Sequence, residues 1–108
     1  MLIYEVNLHV HPDAAEALAA WLPPHIRQML GFEGFLAATW LRRTDAGDDR
    51  VHWTIRYHVA GRAHLDAYLT HHAAAMRAEG LRRFGDAFTA DRRILDHVAS
   101  FDALPESP

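Results

Sequence analysis

Apolar and polar positions alternate with a period of two in four stretches of the chain, and recur at helical spacing in two others. Over 2–11, Leu2, Tyr4, Val6, Leu8 and Val10 fall on one side, with Ile3, Glu5, Asn7, His9 and His11 on the other. This predicts a strand with one buried and one polar face. Pro12 ends it, because proline has no N–H to give a ladder. A second strand over about 35–43 sets Phe35, Ala37, Thr39 and Leu41 against Leu36, Ala38, Trp40 and Arg42. A third over 51–59 sets Val51, Trp53, Ile55, Tyr57 and Val59 against His52, Thr54, Arg56 and His58. The segment TDAGDDR between them has turn composition, so the two read as a hairpin. A fourth strand over about 88–98 alternates without a clear buried side, which a bulge would explain.

The helical stretches lie between these strands. The first begins at Asp13, with Glu16 three residues on, the spacing of a capping box. Ala14, Leu18, Trp21 and Leu22 recur at helical spacing, and Ile26, Met29 and Leu30 continue the apolar side. Pro23 and Pro24 predict a kink or a restart, since each removes a hydrogen bond and crowds the preceding turn. Gly31 suits a C-cap. The second helix runs over about 62–78, with Leu65, Tyr68, Leu69, His72 and Met76 as its stripe and Gly80 at its end.

The order βαββαβ predicts an α+β, ferredoxin-like sandwich: a four-stranded antiparallel sheet with both helices on one side. The expected domain spans 1–99, with 100–108 as a frayed tail. The other face of the sheet is expected to carry Glu5, Asn7, His9, Trp40, Thr54, Arg56 and His58, with Ile3 and Leu36 beside them. The apolar members of that face favour two copies meeting there, as in a dimeric α+β barrel.

Composition narrows the chemistry. Cysteine is absent, which removes disulfides and thiolate catalysis. All eleven basic residues are arginine, and the net charge is −3. No global footprint for nucleic acid exists, and Asp86 and Asp91 dilute the arginine-aromatic run RRFGDAFTADRR. No apolar run approaches the roughly 20 residues that span a bilayer. The expectations are no nucleic acid, no membrane, no cofactor, no metal and a cytoplasmic location.

Nine histidines make that residue type the leading candidate for proton transfer. His9 and His58 sit on adjacent strands and share the polar face with Arg56, so these three are the expected catalytic residues if chemistry occurs there. Glu5, Asn7, Trp40, Thr54 and His25 are expected in a pocket or interface, and His25 lies one turn from Trp21. Glu5 and Arg56 also suit a cross-strand ion pair. His71 and His72 diverge on their helix and form no chelating pair.

The segments MLIYEVNLHV, WLPPHIRQML, VHWTIRYHV, LDAYLTHHAAAMRAEG and RRFGDAFTADRRIL resemble a family of small bacterial proteins described as a domain of unknown function. The resemblance covers about 2–98. Trp21-Leu22 with His25-Ile26, and Met76 to Gly80 leading into Arg83-Phe84-Gly85-Asp86, carry it most specifically. It implies a fold related to dimeric α+β barrels and a homodimer, and no particular activity. The expected function is a small soluble dimer-forming domain without an assignable activity. The alternative is a small cofactor-independent enzyme, monooxygenase- or isomerase-like, acting on an apolar or aromatic ligand in the barrel cavity.

Overall fold

The computed structural model describes residues 1–105. The strands are β1 (Leu2–Val10), β2 (Phe35–Arg42), β3 (Val51–Val59) and β4 (Phe88–Asp96), and the helices are α1 (Ala15–Met29), α2 (Arg62–His71) and α3 (Ala73–Phe84). The sheet order is β2-β3-β1-β4, with every neighbouring pair antiparallel. The core lies between the helices and one sheet face. Tyr4, Leu8, Ile55 and Tyr57 from the sheet meet Leu18, Leu22, Met29, Leu65 and Met76 from the helices. Each such large side chain gives about 1.5–3 kcal/mol on burial. Among the described residues no helix is long and apolar enough to cross a membrane.

The expected barrel is corrected. The sheet is open, with β2 and β4 as its two edges. Closing a sheet on itself takes about eight tilted, staggered strands, and four cannot complete the circle.

The helices also differ from expectation. The first turn is 3-10 (Pro12–Ala14), capped by the His11 imidazole, which accepts from the Asp13 N–H at 3.2 Å. The anticipated Asp13 cap does not form. α1 then runs unbroken through Pro23 and Pro24. Leu18 and Leu22 before the prolines and Met29 after them are all buried. Their burial is of the same order as the roughly 3 kcal/mol each proline costs, so the two halves stay joined. The second helix is two helices, broken at His72, whose ring stacks on Phe32 at 4.5 Å. Gly80 does not end it. Gly80 sits buried inside α3 against Trp21 and Phe88, and the helix stops at Gly85, where φ is +56°.

One register shift moves a candidate residue. A bulge lies between Phe35 and Ala37, so Ala37, Thr39 and Leu41 stand opposite His58, Arg56 and Thr54. Trp40 therefore pairs with Ile55 and turns to the helix-covered face, edge-on to Trp53 at 5.1 Å. The placement of Trp40 on the open face is corrected. An extra residue reverses the alternation for the rest of a strand. β4 pairs with β1 without interruption. Residues 97–105 form neither helix nor strand, and part of the expected tail, 106–108, lies outside the described residues.

Candidate active site

The two faces of the sheet do different things. On the open face, Glu5 of β1 lies between Arg56 of β3 and Arg93 of β4. Its Oε1 accepts from Arg56 Nε at 3.1 Å and its Oε2 from Arg93 Nε at 2.6 Å. Asn7 Nδ2 donates to Glu5 and to Asp91, each at 3.1 Å, and Thr54 Oγ1 donates to Asn7 Oδ1 at 2.7 Å. Glu5 itself is fully covered, while the side chains of Arg56 and Arg93 remain 44% and 62% exposed. The Arg93 hydrogen bond leads the effects that hold the Glu5 carboxyl at about 2.

The same face holds a chain of four groups. Asp91 Oδ2 meets His9 Nε2 at 2.6 Å, His9 Nδ1 meets His52 Nδ1 at 2.7 Å, and His52 Nε2 meets Asp48 Oδ1 at 2.7 Å. The His9 and His52 hydrogen bonds lower Asp91 and Asp48, which are ionised and can only accept. Both Nε2 atoms then carry hydrogen. The inner nitrogens lie at hydrogen-bond distance, so one of them donates to the other. His58 stands on the same face opposite Ile3 and Ala37. Among the described residues no group of three or more metal-ligating side chains is placed to hold an ion.

The cavity is on the other face. Between α1, α3 and the sheet lies a space of about 60 Å³, walled by Leu18, Leu22, Met29, Ile55 and Met76. Its polar lining consists of His25 from α1, Arg77 from α3, Arg92 from β4, and the tyrosines Tyr4, Tyr57 and Tyr68. At roughly 10–15 Å³ per water it holds a few waters or one ring-sized group. Trp21 and His25 stack at 4.4 Å and 22°, and both also line an outer groove between α1 and α3 with Glu79 and Arg83. The pair is thus the partition between groove and cavity.

His25 Nδ1 is buried without a hydrogen-bond partner. Burial pushes the imidazole below its ordinary value, with the Glu79 charge opposing in part. The ring is neutral at neutral pH and can accept a proton. The tyrosines are pushed the other way. Burial raises Tyr68 to about 12 and Tyr57 further, so their hydroxyls stay protonated and serve as donors. Arg77 Nη2 donates to Tyr4 Oη at 3.0 Å.

The structure thus divides the anticipated residues. His9, Arg56, His58, Glu5, Asn7 and Thr54 gather on the open face, across the sheet from the cavity. His25 alone of them lines it. Arg77 and the tyrosines were not expected in a site, and Arg92 was read only as part of the arginine-aromatic run. Their signal was present: tyrosine hydroxyls recur on the faces of β1 and β3 that the pattern buries, and Arg92 lies at a β4 position on the same side as Val6 and Ile55.

An open four-stranded sheet roofed by helices, with an apolar cavity and a half-buried histidine between them, defines a small two-layer α+β protein with a pocket between its layers. The chain belongs to the family described as domain of unknown function DUF4286, whose model matches residues 1–98. No curated protein matches it in sequence. In structure it is similar to a Deinococcus radiodurans protein provisionally named as an antibiotic biosynthesis monooxygenase. The TM-score is 0.74 at 13% identity, over 97% of this chain and 100% of that one. It is similar to SnoaB, a cofactor-independent oxygenase from Streptomyces nogalater, with a TM-score of 0.63 at 18% identity over 97% and 98%. It is similar also to the haem degrader MhuD from Mycobacterium tuberculosis, with a TM-score of 0.65 at 19% identity over 93% and 99%. At these identities the likeness establishes the fold.

The expectation of a domain without assignable activity is corrected, because the fold relatives are mostly named as oxygenases and haem degraders. Haem itself does not fit the space between α1, α3 and the sheet. A plane of four pyrrole rings exceeds a cavity of about 60 Å³.

Proposed function

We propose that this chain is a small cofactor-independent enzyme that takes an apolar or aromatic ligand into the helix–sheet cavity and removes a proton from it with His25. The observation that carries this reading is the unpartnered, buried Nδ1 of His25 in the wall of an apolar cavity. An orphaned polar atom costs about 1–3 kcal/mol, and a ligand proton satisfies it. The Tyr57 and Tyr68 hydroxyls donate to the oxyanion that forms. In a monooxygenase the electron-rich anion supplies its own electrons to dioxygen, and the names of the fold relatives favour that outcome over isomerisation.

A homodimer through the open sheet face completes the proposal, in a cytoplasmic setting. Leu36 and Leu41 are 62% and 41% exposed at its β2 edge, and Arg56, Arg93, Asp91 and Asp48 provide charges of both signs for a twofold contact.

Titration with phenol, followed by tryptophan fluorescence, tests the site. Saturable quenching that His25→Gln weakens is expected, with oxygen uptake on a substituted phenol lost in the same variant. Quenching and uptake indifferent to the substitution would sink the role of His25, and no saturable binding of any aromatic would sink the reading.

A further inference from the structure

Two guanidinium groups reach the cavity and no carboxylate does. Arg77 enters from α3 and Arg92 from β4, and none of the residues lining the space is Asp or Glu. Among the described residues the ion pairs engage Arg43, Arg56, Arg62, Arg82 and Arg93, and neither Arg77 nor Arg92. Glu79, the acidic residue of α3, turns to Arg82 at 3.5 Å and to the outer groove. Arg77 spends one donor on Tyr4 Oη at 3.0 Å and keeps four. Arg92 is half-buried beside Val6. Both arginines line the same cavity as Tyr4, Tyr57 and Tyr68.

Ten of the eleven arginines are exposed, Arg77 among them, and Arg92 alone is half-buried. Arg77 and Arg92 are set apart by their place at the rim of an apolar space with no acidic partner, where the part of each guanidinium that faces the space gains no counter-charge unless a ligand brings one. We propose that the ligand of this cavity is an aromatic acid, whose carboxylate is held by Arg77 and Arg92 while its ring fills the apolar space beside His25. The fork of a guanidinium matches the two oxygens of a carboxylate, and two such forks from different elements fix its direction. The small apolar remainder of the cavity suits one ring. This inference rests on the enzyme reading only for the cavity being a ligand site.

The test compares 4-hydroxybenzoate with phenol, which differ by the carboxylate alone, by calorimetry on the full chain. Hydroxybenzoate is expected to bind more tightly than phenol. Arg77→Gln and Arg92→Gln should each lower hydroxybenzoate affinity by on the order of tenfold or more and leave phenol affinity within twofold. Arg27→Gln, on the exposed side of α1, should change neither. Unchanged circular dichroism and melting of the variants keep the comparison about binding. Equal binding of both ligands, or hydroxybenzoate binding indifferent to both arginines, overturns the aromatic acid and leaves the cavity as an apolar site. Preference for phenyl phosphate over the carboxylate overturns it in favour of a phosphate ester. Binding of none of them overturns this inference and the enzyme reading together.

Discussion

His25 and Glu5 show how titratable side chains can be placed for opposite ends. Glu5 is fully covered by its neighbours and His25 is half-buried. Glu5 is surrounded by donors that favour its charge, whereas His25 is surrounded by carbon that disfavours one. For His25 the folded value lies below the ordinary 6.5. Between the two values the unfolded chain binds more protons, so stability rises with pH across that window. Activity that needs neutral His25 should rise with pH along a limb whose midpoint falls below 6.5, and His25→Gln should abolish the limb. For Glu5 the stabilisation is complete above its ordinary 4.5 and is lost as pH falls towards about 2. Glu5→Gln should cost about 1–3 kcal/mol in urea unfolding at pH 7, below the cost of breaking a fully buried pair because both arginines remain wet. The variant should also flatten the loss of stability between pH 4.5 and 2. At His9 and His52, one hydrogen shared between two nitrogens should give a far-downfield proton resonance that His52→Ala removes.

At the scale of elements, two local features are worth testing. Gly34 turns the chain into β2 with φ of +83°, and a Cβ there would come within 2.3 Å of the His64 ring. Gly34→Ala should destabilise by about 2 kcal/mol or more, from the left-handed backbone and the clash together, as read in urea midpoints. Strand limits were legible within two residues because period-two alternation survives any tertiary context that buries one face. The bulge at Leu36 was not legible. Nothing in FLAATW marks an extra residue, since the bulge is a match of β2 to β3 across the ladder. Trp40 consequently changed faces. The prolines of α1 misled in the other direction, because local propensity cannot register the packing of Leu18, Leu22 and Met29 on either side of them.

At the scale of the whole molecule, the open sheet leaves one face roofed and one bare. A dimer through the bare face predicts a sedimenting mass of about 24 kDa, twice the 12.2 kDa chain, at micromolar concentration. Leu41→Glu should shift it to the monomer, since a like-charged pair near a twofold contact is costly. A mass of 12 kDa for the parent chain would remove the dimer without touching the cavity.

The alternation in β1 and β3, with the helical stripes between strands, determined the α+β order and the greasy face, because these depend only on which side each residue takes in its own element. The candidate site depended on what meets across elements. His25 came from α1, Arg77 from α3, Arg92 from β4 and the tyrosines from β1, β3 and α2. Their convergence is a property of packed layers, and no spacing along the chain encodes it.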